Sequence, residues 1–101
     1  MAVSVSNDRE HERYVAMRDG EPAGFTSYRH RPGLIAFTHT EVEPRFEGRG
    51  VGSAIARAAL DDARSNGDAV LPFCPFINRW IAEHAEYRDL VPEDRRDVFG
   101  L

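Results

Sequence analysis

The amino-acid sequence predicts an α/β fold in which an antiparallel β-meander precedes a β-α-β unit and a C-terminal helix. Three observations support this prediction. Runs rich in β-branched and aromatic residues, separated by turn signals, fill residues 13–42. The apolar pattern then takes a helical period over residues 51–63, and a short apolar run follows at residues 69–74. At 101 residues the chain can bury one modest core, so we expect residues 1–101 to form a single domain.

The first half of the chain is predicted to form strands joined by tight turns. Asp19-Gly20 is a strong hairpin signal, and Pro32-Gly33 marks a second turn, because proline and glycine favour the backbone angles that a turn needs. These turns separate three predicted strands at residues 13–18, 23–29 and 34–42, and a further edge strand is expected at residues 3–6. Alternation in the last of the three predicts one shared face for Ile35, Phe37, His39 and Glu41.

The second half is predicted to form two helices with a short strand between them. Apolar and small side chains repeat at i, i+1 and i+4 over residues 51–63, which places one apolar stripe along a helix. Asn66-Gly67 is predicted to end this helix. Residues 69–74 then form a short buried strand, and Pro75 begins a second helix to about Glu86. The charged tail is expected to fray, with docking contacts from Val98, Phe99 and Leu101.

Composition and charge exclude several classes of function. The net charge is −4, and the 13 basic residues, all arginines, are scattered rather than clustered, so we expect no nucleic-acid partner. No apolar run approaches the ~20 residues that cross a bilayer, and the N-terminus lacks the features of a secretion signal. The single cysteine, Cys74, excludes an internal disulfide and indicates a cytoplasmic protein. The four histidines show no metal-ligand spacing, so we expect no metal site.

Three alternate glycines, Gly48, Gly50 and Gly52, stand between the last strand of the meander and the main helix. They leave backbone N–H groups unobstructed, and the start of the helix adds unpaired donors and the positive end of its dipole. Arg45 and Arg49 lie nearby as further phosphate ligands. The loop therefore suits a pyrophosphate. The alternative is a glycine-rich turn that only allows close helix packing, and neither GxGxxG spacing nor a following Gly-Lys-Ser/Thr is present.

Residues 33–92 resemble a GNAT domain, and more closely the compact, stand-alone N-acetyltransferase-like subgroup of that superfamily. The resemblance is carried by HTEVEPRFEGRGVGSAIARAALDDAR at residues 39–64 and by CPFINRWIAEHAEYRDLV at residues 74–91. Gly50 and Gly52 match the glycines of the family's pyrophosphate loop, whereas Glu47 stands where Gln or Arg is usual. We expect the Glu47 side chain to point away from the phosphates. The chain has no room for the usual first two helices of GNAT enzymes.

The resemblance implies that acetyl-CoA is the cofactor. In the family, the strand before the loop lines the pantetheine arm, and an Asn at the start of the last helix often holds that arm. The residues that the resemblance assigns to the cofactor are Thr40, Val42, Glu47, Gly48, Arg49, Gly50, Val51, Gly52, Ser53 and Asn78.

Four residues are candidates for catalysis, and each has a structural alternative. His39 is a candidate base for the amine's proton, and Glu41 can orient His39 or attract a cationic acceptor. The alternatives for these two are a structural histidine and a solvated carboxylate. Cys74 is a candidate acetyl carrier or a small buried hydrophobe. Tyr87 resembles the tyrosine that protonates the coenzyme thiolate, and otherwise is a partly buried ring at a helix end.

The leading hypothesis is a small acetyl-CoA-dependent N-acetyltransferase that acetylates a primary amine by direct attack in a ternary complex. The expected acceptor is a small-molecule amine or a lysine of a protein or peptide. No membrane partner is expected, and the protein would be a monomer or a homodimer. A second hypothesis is a CoA-binding module without catalysis that acts through a partner protein. A third is an interaction domain whose glycines are only structural.

Overall fold

The computed structural model describes residues 3–101 and contains a five-stranded sheet with two helices. The strands lie in sequence order: β1 Val3–Asp8, β2 Arg13–Arg18, β3 Glu21–Arg31, β4 Leu34–Val42 and β5 Ala69–Pro72. Strands β1 to β4 are antiparallel, and β5 runs parallel to β4. The helices are α1 Val51–Asn66 and α2 Pro75–Glu83. The predicted α/β fold is confirmed, and the chain runs from β1 to β4 without an intervening helix.

The β2–β3 hairpin has the turn that its sequence predicts. Asp19 and Gly20 both take positive φ angles, 50° and 81°. Two consecutive left-handed residues form a tight turn whose twist matches that of the flanking strands. Gly33, at φ 74°, lies in the turn between β3 and β4. These two short turns bring β2, β3 and β4 together in one antiparallel meander.

Helix α1 packs on the sheet through small side chains. Its buried residues are Val51, Ile55, Ala56, Ala59, Leu60 and Ala63. The alanines allow a close approach to the strands, and three of them share the main core with Tyr14, Tyr28 and Phe37 of the sheet. Gly67, at φ 73°, ends the helix as predicted, since its N–H donates to the carbonyls of Ala63 and Arg64.

Strand β4 contains a bulge. Tyr28 pairs with Phe37, but Ser27 pairs with His39, so Thr38 is an additional residue opposite a continuous β3. An additional residue interrupts the strict alternation of faces along a strand. The bulge therefore reverses the face of every side chain that follows it in β4.

The prediction of one shared face for Ile35, Phe37, His39 and Glu41 is wrong for this reason. Phe37 is fully buried, whereas the side chains of His39 and Glu41 are 58% and 63% exposed on the opposite face. Thr40 takes the buried side and contacts Thr26. The two halves of β4 thus present opposite sets of side chains to the core.

The regular elements near the C-terminus are shorter than predicted. Strand β5 ends at Pro72 because Cys74 already caps α2, with its carbonyl accepting from the N–H of Asn78. Helix α2 ends at Glu83. Short 3₁₀ turns follow at Ala85–Leu90, Glu93–Arg95 and Asp97–Phe99.

The tail after α2 does not fray. Phe99 and Leu101 pack against the main core, while Val98 is 73% exposed. Of the three residues expected to dock, two therefore do so. Across residues 3–101, no helix combines the length and the apolar character needed to span a membrane.

Candidate functional site

The loop between β4 and α1 takes its shape from two left-handed glycines. After a 3₁₀ turn at Pro44–Phe46, Gly48 has a φ of 74° and Gly50 a φ of 81°, and Gly50 is the N-cap of α1. An L-residue is strained at such angles because its Cβ crowds the backbone. A Cβ at either position would have no neighbour within 4 Å. These two glycines therefore serve backbone conformation and not the packing of helices.

Gly52 has the second role considered for the glycines, which is to allow close packing of helices. A Cβ there would lie 2.9 Å from Cζ of Phe76, a residue of α2. Its absence lets the start of α1 approach α2 closely. Both interpretations of the glycine loop thus hold, each for different residues.

Five backbone N–H groups of the loop and the first helical turn have no acceptor among residues 3–101. Glu47 N–H and Arg49 N–H donate to the carbonyls of Pro44 and Phe46. The first intrahelical bond runs from Ala54 N–H to Gly50 O. The N–H groups left over are those of Gly48, Gly50, Val51, Gly52 and Ser53. Consecutive free N–H groups at a helix N-terminus form an anion-binding site.

These N–H groups border a groove of about 440 Å³ between the loop and the two helices. The loop and α1 contribute one wall, and α2 contributes Phe76, Arg79, Trp80 and Glu83 to the other. A ligand with an anionic end and an apolar body fits such a lining, since it combines backbone N–H groups with the rings of Phe46, Phe76 and Trp80.

Arg79 is a candidate phosphate ligand that the sequence analysis missed. It is exposed, it lines the groove, and it takes part in none of the ion pairs within residues 3–101. The sequence feature that could have identified Arg79 is its position three residues after Phe76, which puts both side chains on one face of α2. Arg49, the predicted phosphate ligand of the loop, is exposed.

Two further charged residues near the loop do not fit a simple phosphate-binding site. Arg45, expected near the phosphates, instead pairs with Glu21 and lies over the ring of Phe46, 4.7 Å from its centroid. Glu47 is exposed and is one of the residues that line the groove. The direction of its side chain in a complex stays a prediction.

The edge of β4 is open beyond its pairing with β5. The last pair of the parallel ladder is Phe37 with Pro72, and Cys74 N–H then donates to Phe37 O. No strand lies beside the following five residues of β4 on this side. Because Glu43 N–H donates to Ala23 O of β3, alternation directs the backbone groups of Thr40 and Val42 to the open edge.

A thiol and two hydroxyls meet on the buried side of this edge. Thr40 Oγ1 lies 2.9 Å from Cys74 Sγ and 2.9 Å from Thr26 Oγ1. Thr26 Oγ1 also donates to the His39 carbonyl at 3.3 Å. Thr26 and Cys74 are 0% and 2% exposed. The sequence analysis missed Thr26, because its contact with Thr40 depends on the register between β3 and β4.

His39 and Glu41 form a pair on the exposed face of β4. Their Nε2 and Oε2 atoms are 2.8 Å apart, and the imidazole centroid lies 6.1 Å from that of Phe25. The bond to Glu41 favours the tautomer that carries the proton on Nε2, which leaves Nδ1 as a proton acceptor. This is the arrangement expected of a base with its orienting carboxylate.

Asn78 and Tyr87 lie apart from this pair. Asn78 Nδ2 donates to Phe99 O at 2.9 Å, which ties α2 to the C-terminal turn. Tyr87 is buried, and its hydroxyl donates to Asp61 Oδ1 at 2.8 Å. Burial and this bond raise the pKa of Tyr87, so the phenol stays protonated with its proton directed at α1. Their roles toward a cofactor stay predictions.

No group of three or more His, Cys, Asp or Glu side chains within residues 3–101 is arranged to hold a metal ion.

Comparison with known families gives one match that covers most of the chain. The family model described as GCN5-related N-acetyl-transferase matches residues 13–90. No curated protein matches the chain.

Three solved structures share the fold. The solution structure of a GCN5-like N-acetyltransferase candidate from Staphylococcus aureus has a TM-score of 0.68 at 20% identity and covers 88% of this chain and 87% of its own. Ard1 from Thermoplasma volcanium gives 0.54 at 25% identity, covering 62% and 44%. N-acetylglutamate synthase from Neisseria gonorrhoeae, complexed with coenzyme A and N-acetyl-glutamate, gives 0.59 at 22% identity, covering 96% and 26%. The match thus spans less than half the length of the latter two.

Proposed function

Because the chain belongs to the GCN5-related N-acetyltransferase family, we propose that it transfers the acetyl group of acetyl-CoA to a primary amine by direct attack. Acyl transfer from acetyl-CoA is the activity of this family. The direct route and the amine acceptor are the proposal. The observation that carries it is the set of free N–H groups at Gly48 and at residues 50–53, next to an open strand edge that leads to a histidine–glutamate pair.

The residues of the loop fit the pyrophosphate of acetyl-CoA. The free N–H groups and the positive end of the α1 dipole supply donors and favourable charge. Arg79, which lines the groove, and Arg49, which is exposed on the loop, supply cations. A side chain at Gly52 would clash with the ring of Phe76 and so push α1 away from α2 at the groove. The set of donors therefore suits a doubly charged anion.

The open edge of β4 suits the pantetheine arm. An extended amide chain beside Thr40 and Val42 would complete the ladder that β5 leaves unfinished. Asn78 uses one Nδ2 hydrogen for the Phe99 carbonyl, so its second hydrogen and its Oδ1 could bond to the arm. The backbone of β4 is thus the main candidate for holding the cofactor's amides.

The cofactor, when bound, supplies an acetyl thioester whose carbonyl is activated for attack. We assign the proton transfer to His39. Its Nδ1 would take a proton from the amine while Glu41 stabilises the imidazolium through Nε2. A C–N bond forms and the C–S bond breaks, and the sulfur leaves with the electron pair. N–H groups of the open β4 edge would donate to the carbonyl oxygen as its charge grows.

A route through acetyl-Cys74 has less support. Cys74 Sγ contacts the Thr40 hydroxyl, and no His or carboxylate within residues 3–101 bonds to it. A thiol without a neighbouring base is poorly activated as a nucleophile. Tyr87 also has less support as an acid, because its proton is directed at Asp61.

The alternative function is a CoA-binding module without catalysis. It is favoured by the absence of a helix between β1 and β4, where larger GNAT enzymes build much of the acceptor pocket. Such a module would bind acetyl-CoA through the same N–H groups. It would show no acetyl transfer to any amine.

A calorimetric titration with acetyl-CoA tests the cofactor assignment, with dephospho-CoA and ATP as comparison ligands. We expect saturable binding near one equivalent for acetyl-CoA and for dephospho-CoA, which keeps the pyrophosphate and the arm. ATP, which lacks the arm, should not bind. Absence of acetyl-CoA binding at millimolar concentration would remove the proposal. Binding without transfer in a screen of amines would select the non-catalytic module.

A further inference from the structure

We propose that the acceptor enters on the exposed face of the sheet, as a primary ammonium on an apolar stem, in a groove between β2, β3 and β4. The proposal rests on the function proposed above and adds the site and the chemical class of the acceptor. It is carried by a groove with an apolar floor whose edge holds two carboxylates, one of which bonds to the candidate base.

The groove has a volume of about 280 Å³. Its apolar lining comes from Val15, Pro22, Phe25 and Pro44. Its two carboxylates are Glu41 and Glu43, both exposed and both on or directly after β4. An alkyl stem would cover apolar surface that is now partly exposed, and the ammonium would lie near the carboxylates.

The charges in the groove favour a cation. Arg13 also lines it, but its guanidinium lies over the ring of Phe25 at 5.2 Å, and its Nε is 4.0 Å from Asp8 Oδ2. These contacts place the arginine charge beside Phe25 and Asp8. The lining therefore carries two carboxylates against one guanidinium, and Arg13 Nε makes no hydrogen bond within residues 3–101. A small ammonium gains from this balance, and a carboxylate ligand is repelled.

Glu41 links the groove to the candidate base, His39. The same carboxylate lines the groove and bonds to His39 Nε2 at 2.8 Å. An ammonium beside Glu41 would therefore lie close to His39, the candidate base that would take its proton. The cofactor groove lies by the loop and the two helices, whereas His39 and Glu41 lie on the opposite face of β4. Donor and acceptor can then approach the edge of β4 from its two faces without competing for space.

The shared ligand chemistry is an aliphatic primary ammonium, which a small alkylamine and a lysine side chain both provide. The volume suits one stem of this kind. Because the face is open, a lysine on an exposed peptide reaches the groove as readily as a free amine does.

An NMR titration with n-butylammonium tests the groove without requiring catalysis, and butyrate serves as the ligand of the same stem and opposite charge. We expect saturable shifts of the backbone amides of Phe25, Glu41 and Glu43 with n-butylammonium and none with butyrate. Glu43→Gln should weaken this binding about threefold to fivefold, as expected for an exposed ion pair. Glu93→Gln, an exposed glutamate of the C-terminal turns, should leave it unchanged.

The proposal is overturned if n-butylammonium produces no saturable shifts at these amides, or if butyrate produces the same ones. Wild-type affinity in Glu43→Gln would also overturn it. Binding of acetyl-CoA, measured separately, reports on the function above, so the two ideas fail independently. Comparison of kcat/KM for n-butylamine and for an N-terminally blocked lysine peptide then assigns the source of the amine.

Discussion

Replacing Ser53 by Asp tests whether the start of α1 holds a pyrophosphate. Ser53 is exposed, lines the cofactor groove and is the third residue of the helix. The first turn of α1 contains no acidic residue, so a new carboxylate there would interact favourably with the helix dipole. We expect Ser53→Asp to raise the free energy of unfolding of the ligand-free protein by about 0.3–1 kcal/mol.

The same carboxylate should oppose a bound pyrophosphate. At about 6 Å from one phosphate charge, the repulsion is about 0.7 kcal/mol in water and about 3 kcal/mol at an effective dielectric constant of about 20. Two phosphate charges therefore cost at least about 1.4 kcal/mol, which is about tenfold in the dissociation constant. We expect the affinity for acetyl-CoA to fall at least tenfold while the stability of the free protein rises.

Ser65→Asp is the matched control, because Ser65 is an exposed serine near the other end of the same helix. It lies about 18 Å from Ser53 along the axis, which exceeds the Debye length at physiological salt. Its carboxylate should lower the stability slightly and leave the affinity unchanged. Calorimetric titration and urea denaturation measure the two quantities. Wild-type affinity in Ser53→Asp, or equal losses in both variants, would refute an anion site at the start of α1.

Two further predictions concern the candidate catalytic residues. His39→Ala should lower the rate of acetyl transfer at least tenfold, because the amine loses its base, and leave the dissociation constant of acetyl-CoA unchanged. A steady-state rate equal to that of the wild type would end the role of His39. Tyr87→Phe should lower the free energy of unfolding by about 1 kcal/mol, because Asp61 loses its hydrogen bond, and keep the transfer rate. A large fall in that rate, at unchanged acetyl-CoA affinity, would instead identify Tyr87 as the acid.

The sequence predicted the elements whose signals are local. Asp19-Gly20 produced the hairpin because both residues tolerate positive φ, and Gly67 ended α1 because it accepts the left-handed cap. The glycine loop was located correctly for a related reason. Gly48 and Gly50 take positive φ angles, which glycine adopts without strain, so the glycines themselves indicate the loop. Such features depend on a few neighbouring residues and on no distant contact.

Features that depend on pairing between distant segments were not predicted. The contact of Thr26 with Thr40 requires the register between β3 and β4, and Arg79 reaches the groove only because α2 packs beside the loop. The tail was expected to fray because it is charged. Phe99 and Leu101 nevertheless find apolar surface on the core, which no local pattern records.

The sequence contains an indication of the bulge at Thr38, and the bulge determines which side chains of β4 face the solvent. Strict alternation would have put Glu41 on the same face as the fully buried Phe37, and burying an unpaired carboxylate costs several kcal/mol. The bulge removes this conflict because two consecutive residues, Thr38 and His39, both face the solvent. Glu41 then also faces the solvent, and Thr40 turns toward Cys74, beside the open edge. Deleting Thr38 would make Phe37 and His39 adjacent, which removes the bulge and restores regular alternation with His39 and Glu41 still on the exposed face. The bulge thus accommodates Thr38 while the candidate base stays on the exposed side of the strand.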